Sequence, residues 1–312
     1  MPVSESLVKR RELIRQIACS HDGPIVAVAE FERFVQIWDV ETQSCIAKFE
    51  TTLDFGGRRL AITRDGLGLA VGAYDEHGVA IYDTKSGTEV WRRKDLTNVQ
   101  RIRISKDDQR VRCGFEDGEY IRRPFQMLDR ESGDSTYTLD GVADAIESDY
   151  DNVVLIDGKD RGDFILVDQD FKQVASFRRT TFAALDVAFA PARICVTESG
   201  GSIRCYDTQN GQQQWAYNPG RGIHAIDLAF SESHGRFVAI TLPYQSGGNH
   251  QLISLSAEDG DAEALATIGD ACEFGFCRKG SMLIESGGQL RDTATGEVSG
   301  FLDFFPKNGT VD

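Results

Sequence analysis

Apolar residues along this chain come in short runs that alternate with polar ones and break roughly every 8–12 residues at Gly, Asp or Ser. In the first stretch the runs are Gln16–Ser20, Ile25–Ala29, Phe34–Asp39 and Ile46–Glu50, with the polar turn His21-Asp22-Gly23 between the first two. Period-two alternation over strand-length segments predicts β-strands, and helical periodicity is almost missing. The pattern therefore predicts an all-β chain of small sheets, four strands to each.

The pattern is itself repeated. Tyr82-Asp83-Thr84-Lys85-Ser86-Gly87 returns 124 positions later as Tyr206-Asp207-Thr208-Gln209-Asn210-Gly211. A relaxed form, an apolar residue, Asp, a few polar residues and Gly, occurs seven times: at Trp38-Asp39, Tyr82-Asp83, Leu128-Asp129, Val167-Asp168, Tyr206-Asp207 and, degraded, at Leu255-Ser256 and Arg291-Asp292. Successive intervals are 44, 46, 39, 39, 49 and 36 residues. A period near forty predicts a stacked or radial array of one supersecondary unit, none of which can bury its apolar face alone.

The units fall at about 13–52, 57–95, 99–140, 142–179, 184–218, 225–269 and 271–303, within a single domain over 1–312. The third strand of the third unit, Tyr120–Asp129, carries Pro124, which predicts a bulge or edge there. The sixth unit holds an insertion from Pro243 to His250. Residues 1–12 are the candidate ring-closing segment, Ser6–Arg10 being favoured over Phe301–Phe305, because an open sheet edge invites pairing.

Seven four-stranded units in a row resemble a seven-bladed β-propeller of four-stranded antiparallel blades, and the chain is similar to the WD-repeat and quinoprotein-like superfamily. The residues that carry the resemblance are Trp38-Asp39, the Tyr-Asp pairs, and the turn echoes Ser20-His21-Asp22-Gly23, Thr63-Arg64-Asp65-Gly66 and Ser105-Lys106-Asp107-Asp108. The chain departs from the family in having one Trp-Asp dipeptide and no Gly-His ahead of any unit, so the family's histidine-containing network is not expected in most blades. Gly87–Trp91 and Gly211–Trp215 look like the quinoprotein-like branch.

Composition adds limits. With 312 residues, 41% of them hydrophobic, the chain can bury an ordinary core. No apolar run approaches the ~18–20 residues of a spanning helix. Lys9, Arg10 and Arg11 are followed by no apolar segment of a secretory signal. Seven scattered cysteines with no CxxC spacing read as reduced core residues, which points to the cytoplasm. Cys272 and Cys277 are five apart, facing opposite sides of one expected strand, so they cannot share a metal. A net charge of −15 repels phosphate backbones, so nucleic acid is not an expected partner, nor is a membrane.

The chemistry, if any, should sit on the axis. Aligning the innermost strands on the Ser or Thr of their turns places Gln16, Arg59, Arg101, Asp144, Asp186, Asp227 and Glu273 at one position. Two residues later stands the mostly small set Ala18, Ala61, Arg103, Ile146, Ala188, Ala229 and Gly275, suited to a crowded axis. The polar set should then encircle the channel mouth, with guanidinium groups on one side (Arg59, Arg101, Arg103) and carboxylates on the other (Asp144, Asp186, Asp227, Glu273). Arg221, in a loop, is expected beside them. Such a rim suits a protein or peptide partner of complementary charge, in a multi-subunit complex.

No catalytic residue and no metal or cofactor set is expected. The five histidines lack ligand spacing, and no G-x-S-x-G elbow is present. The expected function is a non-catalytic interaction platform. Two other readings stay open: a propeller-type small-molecule hydrolase or lactonase using the axial carboxylates with Arg101 as anion holder, and a sensor subunit of a larger complex.

Overall fold

The computed structural model describes residues 14–305 apart from 31–32, 52–58, 74–76, 116–124, 140–141, 149, 151–153, 159–162, 169, 171, 179–183, 199–200, 244–248 and 270–272. Among the described residues, twenty-eight strands sort by hydrogen bonding into seven four-stranded antiparallel sheets, each built from four consecutive strands. The sheets are numbered 1 to 7 in chain order. Their first strands are Ile14–Cys19, Leu60–Ile62, Val99–Ile104, Val142–Glu147, Ala184–Ala190, Ile223–Ser231 and Phe274–Cys277. These surround one central cavity, whereas fourth strands such as Ser44–Glu50 and Gln213–Tyr217 are mostly exposed.

Apolar side chains between neighbouring sheets hold the ring. Ala27 and Ile37 of sheet 1 pack on Leu69 and Tyr82 of sheet 2, and Val79 and Ile81 pack on Ile102 and Val111 of sheet 3. Phe125 and Met127 meet Ala145 and Val167; Leu166 and Ala175 meet Ile194 and Tyr206. Cys205 and Trp215 meet Phe237 and Leu255, and Ile240 and Leu252 meet Phe274 and Leu283. Ile284 and Leu290 of sheet 7 then pack on Val26 and Trp38 of sheet 1, which closes the circle. The molecule is thus a β-propeller of four-stranded antiparallel blades. Six blades are distinguished where the sequence predicts seven. The sheets are unequal, with an inner strand of nine residues in sheet 6 and three in sheet 2.

The repeated clause has one local cause. Its Asp sits at the turn between the third and fourth strands, and one carboxylate oxygen accepts two backbone N–H groups of the turn. Asp83 takes those of Lys85 and Ser86 at 3.1 and 2.8 Å, and Asp207 takes those of Gln209 and Asn210 at 2.8 and 3.2 Å. Ser256 does the same with its hydroxyl in the degraded sixth copy. Four residues on, the chain must turn into the left-handed region, which favours Gly: Gly87 (φ 68) donates back to the Asp83 carbonyl at 2.9 Å. A bulge follows in every sheet, as between Ile81 and Tyr82. The seventh copy carries Arg291 where the others carry an apolar residue, because Arg291 is buried and paired with Glu285 at 2.8 Å and donates to the Gly296 carbonyl at 2.7 Å.

Successive sheets are also stapled through indoles. Trp91 Nε1 donates to the Arg130 carbonyl of sheet 3 at 2.6 Å, and Trp215 Nε1 to the Ala257 carbonyl of sheet 6 at 3.2 Å. Between sheets 7 and 1 the staple comes from the C-terminal side: Phe304 stacks edge-on against Trp38 with centroids 5.6 Å apart, and its carbonyl accepts from Gln36 Nε2 at 2.8 Å. Ser6–Arg10 lies outside the described residues. Two local expectations reach outside the described residues. The third strand of sheet 3 is described over Phe125–Asp129, and Tyr120 and Pro124, with the bulge or edge expected there, lie outside the described residues. The inner strand of sheet 7 is Phe274–Cys277, and Cys272, expected on one strand with Cys277, lies outside the described residues as well.

Candidate functional site

The central cavity has a volume of about 470 Å³. Its walls include the whole small-residue set, Ala18, Ala61, Arg103, Ile146, Ala188, Ala229 and Gly275. Crowding there is severe. A Cβ at Gly275 would lie 2.7 Å from Ile17 and 2.8 Å from the Cys19 sulfur. The cavity wall runs from where the inner strands begin, termed the first mouth, to the turns where they finish, termed the second.

At the first mouth the predicted residues divide. Arg101 and Arg103 from sheet 3, and Asp186, Asp227 and Glu273 from sheets 5, 6 and 7, all line the cavity. The structure brings these five together, cations on one sheet and carboxylates on three others. Arg59 does not join them. It is 3% exposed and off the cavity wall; its backbone N–H donates to Gln16 Oε1 at 3.1 Å and its carbonyl accepts from Gly72 at 2.8 Å. Arg221 is exposed in the turn before sheet 6 and is not a wall residue. The side chain of Asp144 lies outside what is described.

The aligned polar position also has a structural use that the sequence did not reveal. Gln16 Nε2 donates to the Leu60 carbonyl of the next sheet at 3.3 Å. Asp186 Oδ2 accepts from the Leu228 N–H of the next sheet at 2.9 Å. Leu60 and Leu228 are equivalent positions one residue after the ring, so the same pin is made twice from different side chains. Asp186 is further fixed by Thr197, whose Oγ1 accepts from its N–H at 2.6 Å. Side chains at this position thus tie adjacent inner strands together as well as facing the channel.

Between the mouths the wall holds a buried ion pair. Arg112, 3% exposed, meets Glu147 at 2.6 Å, joining sheets 3 and 4, and Glu147 also accepts from the Lys106 N–H at 2.9 Å. The available signal was an Arg inside the apolar strand Val111–Phe115, since a charge there requires a partner.

The second mouth was missed altogether. Tyr150 OH donates to Glu232 at 2.8 Å, Glu232 meets Lys279 at 3.0 Å, and Lys279 stands 3.9 Å from Asp22. Asp22 in turn is gripped by Arg64 at 2.7 and 3.0 Å, and the Arg64 N–H donates to Asp108 at 2.9 Å. This belt runs through sheets 4, 6, 7, 1, 2 and 3. Hydrogen bonds from Arg64, then from His21, outweigh desolvation and hold Asp22 at about 2. Burial pushes the Glu232 carboxyl up, but the Tyr150 hydroxyl and Lys279 outweigh it and leave it lowered, while Lys279 is raised chiefly by Glu232. Among the described residues no group of three or more His, Cys, Asp or Glu side chains could hold a metal ion.

No family model and no curated protein sequence matches this chain. Solved structures do. The beta-propeller domain of Cps50 (Swd1) from Myceliophteria thermophila superposes with a TM-score of 0.66 at 14% identity over 92% of this chain and 96% of that one. The WD40 repeats of RRP9 give 0.65 at 13% over 87% and 86%. BamB from Moraxella catarrhalis gives 0.60 at 12% over 90% and 83%. The fold is a β-propeller. At these identities the likeness of the propeller to its neighbours concerns fold alone.

Proposed function

We propose that this propeller is a non-catalytic, cytoplasmic interaction platform with seven blades, binding a partner protein at its first mouth. The seven blades are supported by seven hydrogen-bonded sheets and an apolar seam between each consecutive pair. The single observation that carries the binding reading is the segregation of charge on one rigid wall. Arg101 and Arg103 stand on one inner strand, Asp186 and Asp227 on two others, and Glu273 immediately before the inner strand of sheet 7. A segment presenting Lys or Arg beside Asp or Glu complements that pattern, and a preformed wall lowers the ordering cost of holding it. Arg221 contributes at the rim. Arg59 contributes through the backbone it anchors.

A membrane-bound array of short peptides of defined sequence, probed with the purified chain, tests this. Bound peptides should be enriched in adjacent opposite charges. The double variant Arg101→Glu, Arg103→Glu should weaken the best of them by about tenfold or more, roughly 1.4 kcal/mol, with an unchanged melting temperature. Equal binding by the variant would remove the first mouth from the reading.

A further inference from the structure

His21 sits in the belt at the second mouth in a contact that one protonation state cannot satisfy. Its Nδ1 lies 2.7 Å from a guanidinium nitrogen of Arg64 and 2.9 Å from a carboxylate oxygen of Asp22. Arginine only donates, so the first contact needs a bare lone pair on Nδ1. A carboxylate only accepts, so the second needs a proton on the same atom. Both neighbours are anchored independently of the imidazole, because Arg64 and Asp22 also hold each other through Nε to Oδ2 at 2.7 Å.

We propose that His21 is a proton switch that sets the charge of the second mouth. In the neutral form the ring proton is on Nε2, and Nδ1 accepts from Arg64. On acidification a solvent proton binds Nδ1, the new N–H donates to Asp22, and the Arg64 contact to the ring is given up. Arg64 stays on Asp22, so the belt remains joined while its charge rises by one.

The charged groups facing His21 come from four turns. Asp22 is in its own turn, Arg64 in that of sheet 2, Glu232 in that of sheet 6, and Lys279 in that of sheet 7, whose N–H donates to the His21 carbonyl at 3.1 Å. Asp22 and Glu232 favour the cation; Arg64 and Lys279 oppose it. With neutral His21 the two cations and two carboxylates facing it cancel, and with charged His21 this group carries one net positive charge, which offsets Asp108 further along the belt. Asp22 stays ionised through this titration because Arg64 holds it at about 2. The second mouth therefore gains attraction for an acidic surface within the range where histidine titrates, about pH 5 to 8, with no change at the first mouth.

Nitrogen-15 NMR of the imidazoles in the intact chain, assigned with His21→Gln, tests the switch. At about pH 8 the wild-type His21 should be the Nε2–H tautomer, and Arg64→Met should invert it to Nδ1–H, donating to Asp22. The Arg64 Nε–H signal should move with the same midpoint as His21. An Nδ1–H tautomer in the wild type at high pH would overturn the proposal without recourse to any variant. So would an unchanged tautomer in a folded Arg64→Met protein, or an Arg64 signal that stays still while His21 titrates.

Discussion

The two mouths of the channel are built from the same inner strands, one residue set at their beginnings and another at their ends, yet they treat charge in opposite ways. At the first mouth the signs are segregated: Arg101 and Arg103 on sheet 3, Asp186, Asp227 and Glu273 on sheets 5 to 7. At the second they alternate and close on one another, Glu232 on Lys279 at 3.0 Å and Asp22 on Arg64 at 2.7 Å. Segregated charge projects a field outward and is suited to a ligand; alternating charge is spent within the rim and is suited to holding turns together. The difference shows that a ring of polar residues on a propeller axis is not a binding site by position alone. What matters is whether neighbouring members carry the same sign.

The wall between the mouths gives the largest expected effect. Replacing Arg112 by Ala takes the guanidinium partner from Glu147, which keeps the Lys106 N–H, and opens a gap between sheets 3 and 4. Urea unfolding should show a loss of about 3 kcal/mol, and the double change Arg112→Met, Glu147→Leu should cost less than the single one. If Arg112→Ala were neutral, the pair would be idle. A smaller effect separates the two duties of the first mouth. Asp186→Ala removes one of the two acceptors of the Leu228 N–H, leaving Asp227 Oδ1 at 3.1 Å, and should cost about 0.5–1.5 kcal/mol, whereas Asp186→Asn keeps both acceptors and removes the charge. The Asn variant should therefore melt close to wild type while losing peptide binding. Loss of both properties together would mean that Asp186 only pins.

These contrasts also mark how far the sequence could be read. The propeller was legible because each turn writes its own physics locally: an Asp that caps two N–H groups and a Gly at positive φ recur at Asp83 and Gly87, and again at Asp207 and Gly211. The small axial set was legible too, since alternation fixes which residues face the axis. The pins were not. Whether Gln16 reaches the Leu60 carbonyl depends on the radial spacing of two sheets, which no single strand encodes. Arg59, aligned with Arg101, is buried beside Gln16 instead of facing the channel for the same reason. The second mouth was passed over because its members do not share one aligned position. Lys279 and Tyr150 stand two residues after their strand-end markers, Glu232 and Arg64 one, and Tyr150 reaches past sheet 5, whose Ala190-Pro191-Ala192 turn offers no long side chain.

Within the second mouth the Tyr150 strap is the next lever down. Tyr150→Phe deletes a hydroxyl donated to Glu232 and should lower stability by only about 0.5–1 kcal/mol, since the site is part-buried. Its sharper signature is electrostatic: without that donor the Glu232 carboxyl should titrate higher than in the wild type, as carboxyl carbon NMR would show. An unchanged titration would assign the lowering to Lys279 and, after it, His21.

The smallest expected effect is the acid response of Asp22, and its sign follows from the pairing. Arg64 holds the folded carboxyl at about 2, below its ordinary 3.8, so the folded state binds the proton less readily than the unfolded one. The stabilisation is complete above roughly pH 4 and is lost as pH falls through about 2. Asp22 is half-exposed, so solvent screening keeps the gain small. Melting temperatures of wild type and Asp22→Asn should differ by a constant amount between about pH 5 and pH 4, below the range in which His21 titrates, and converge at lower pH. High salt should shrink the gap at every pH, because the pair faces water. A gap that persisted at the acid end would mean that the Asp22 oxygens act through geometry and not through charge, and the second mouth would then be held by its turns and not by its ions.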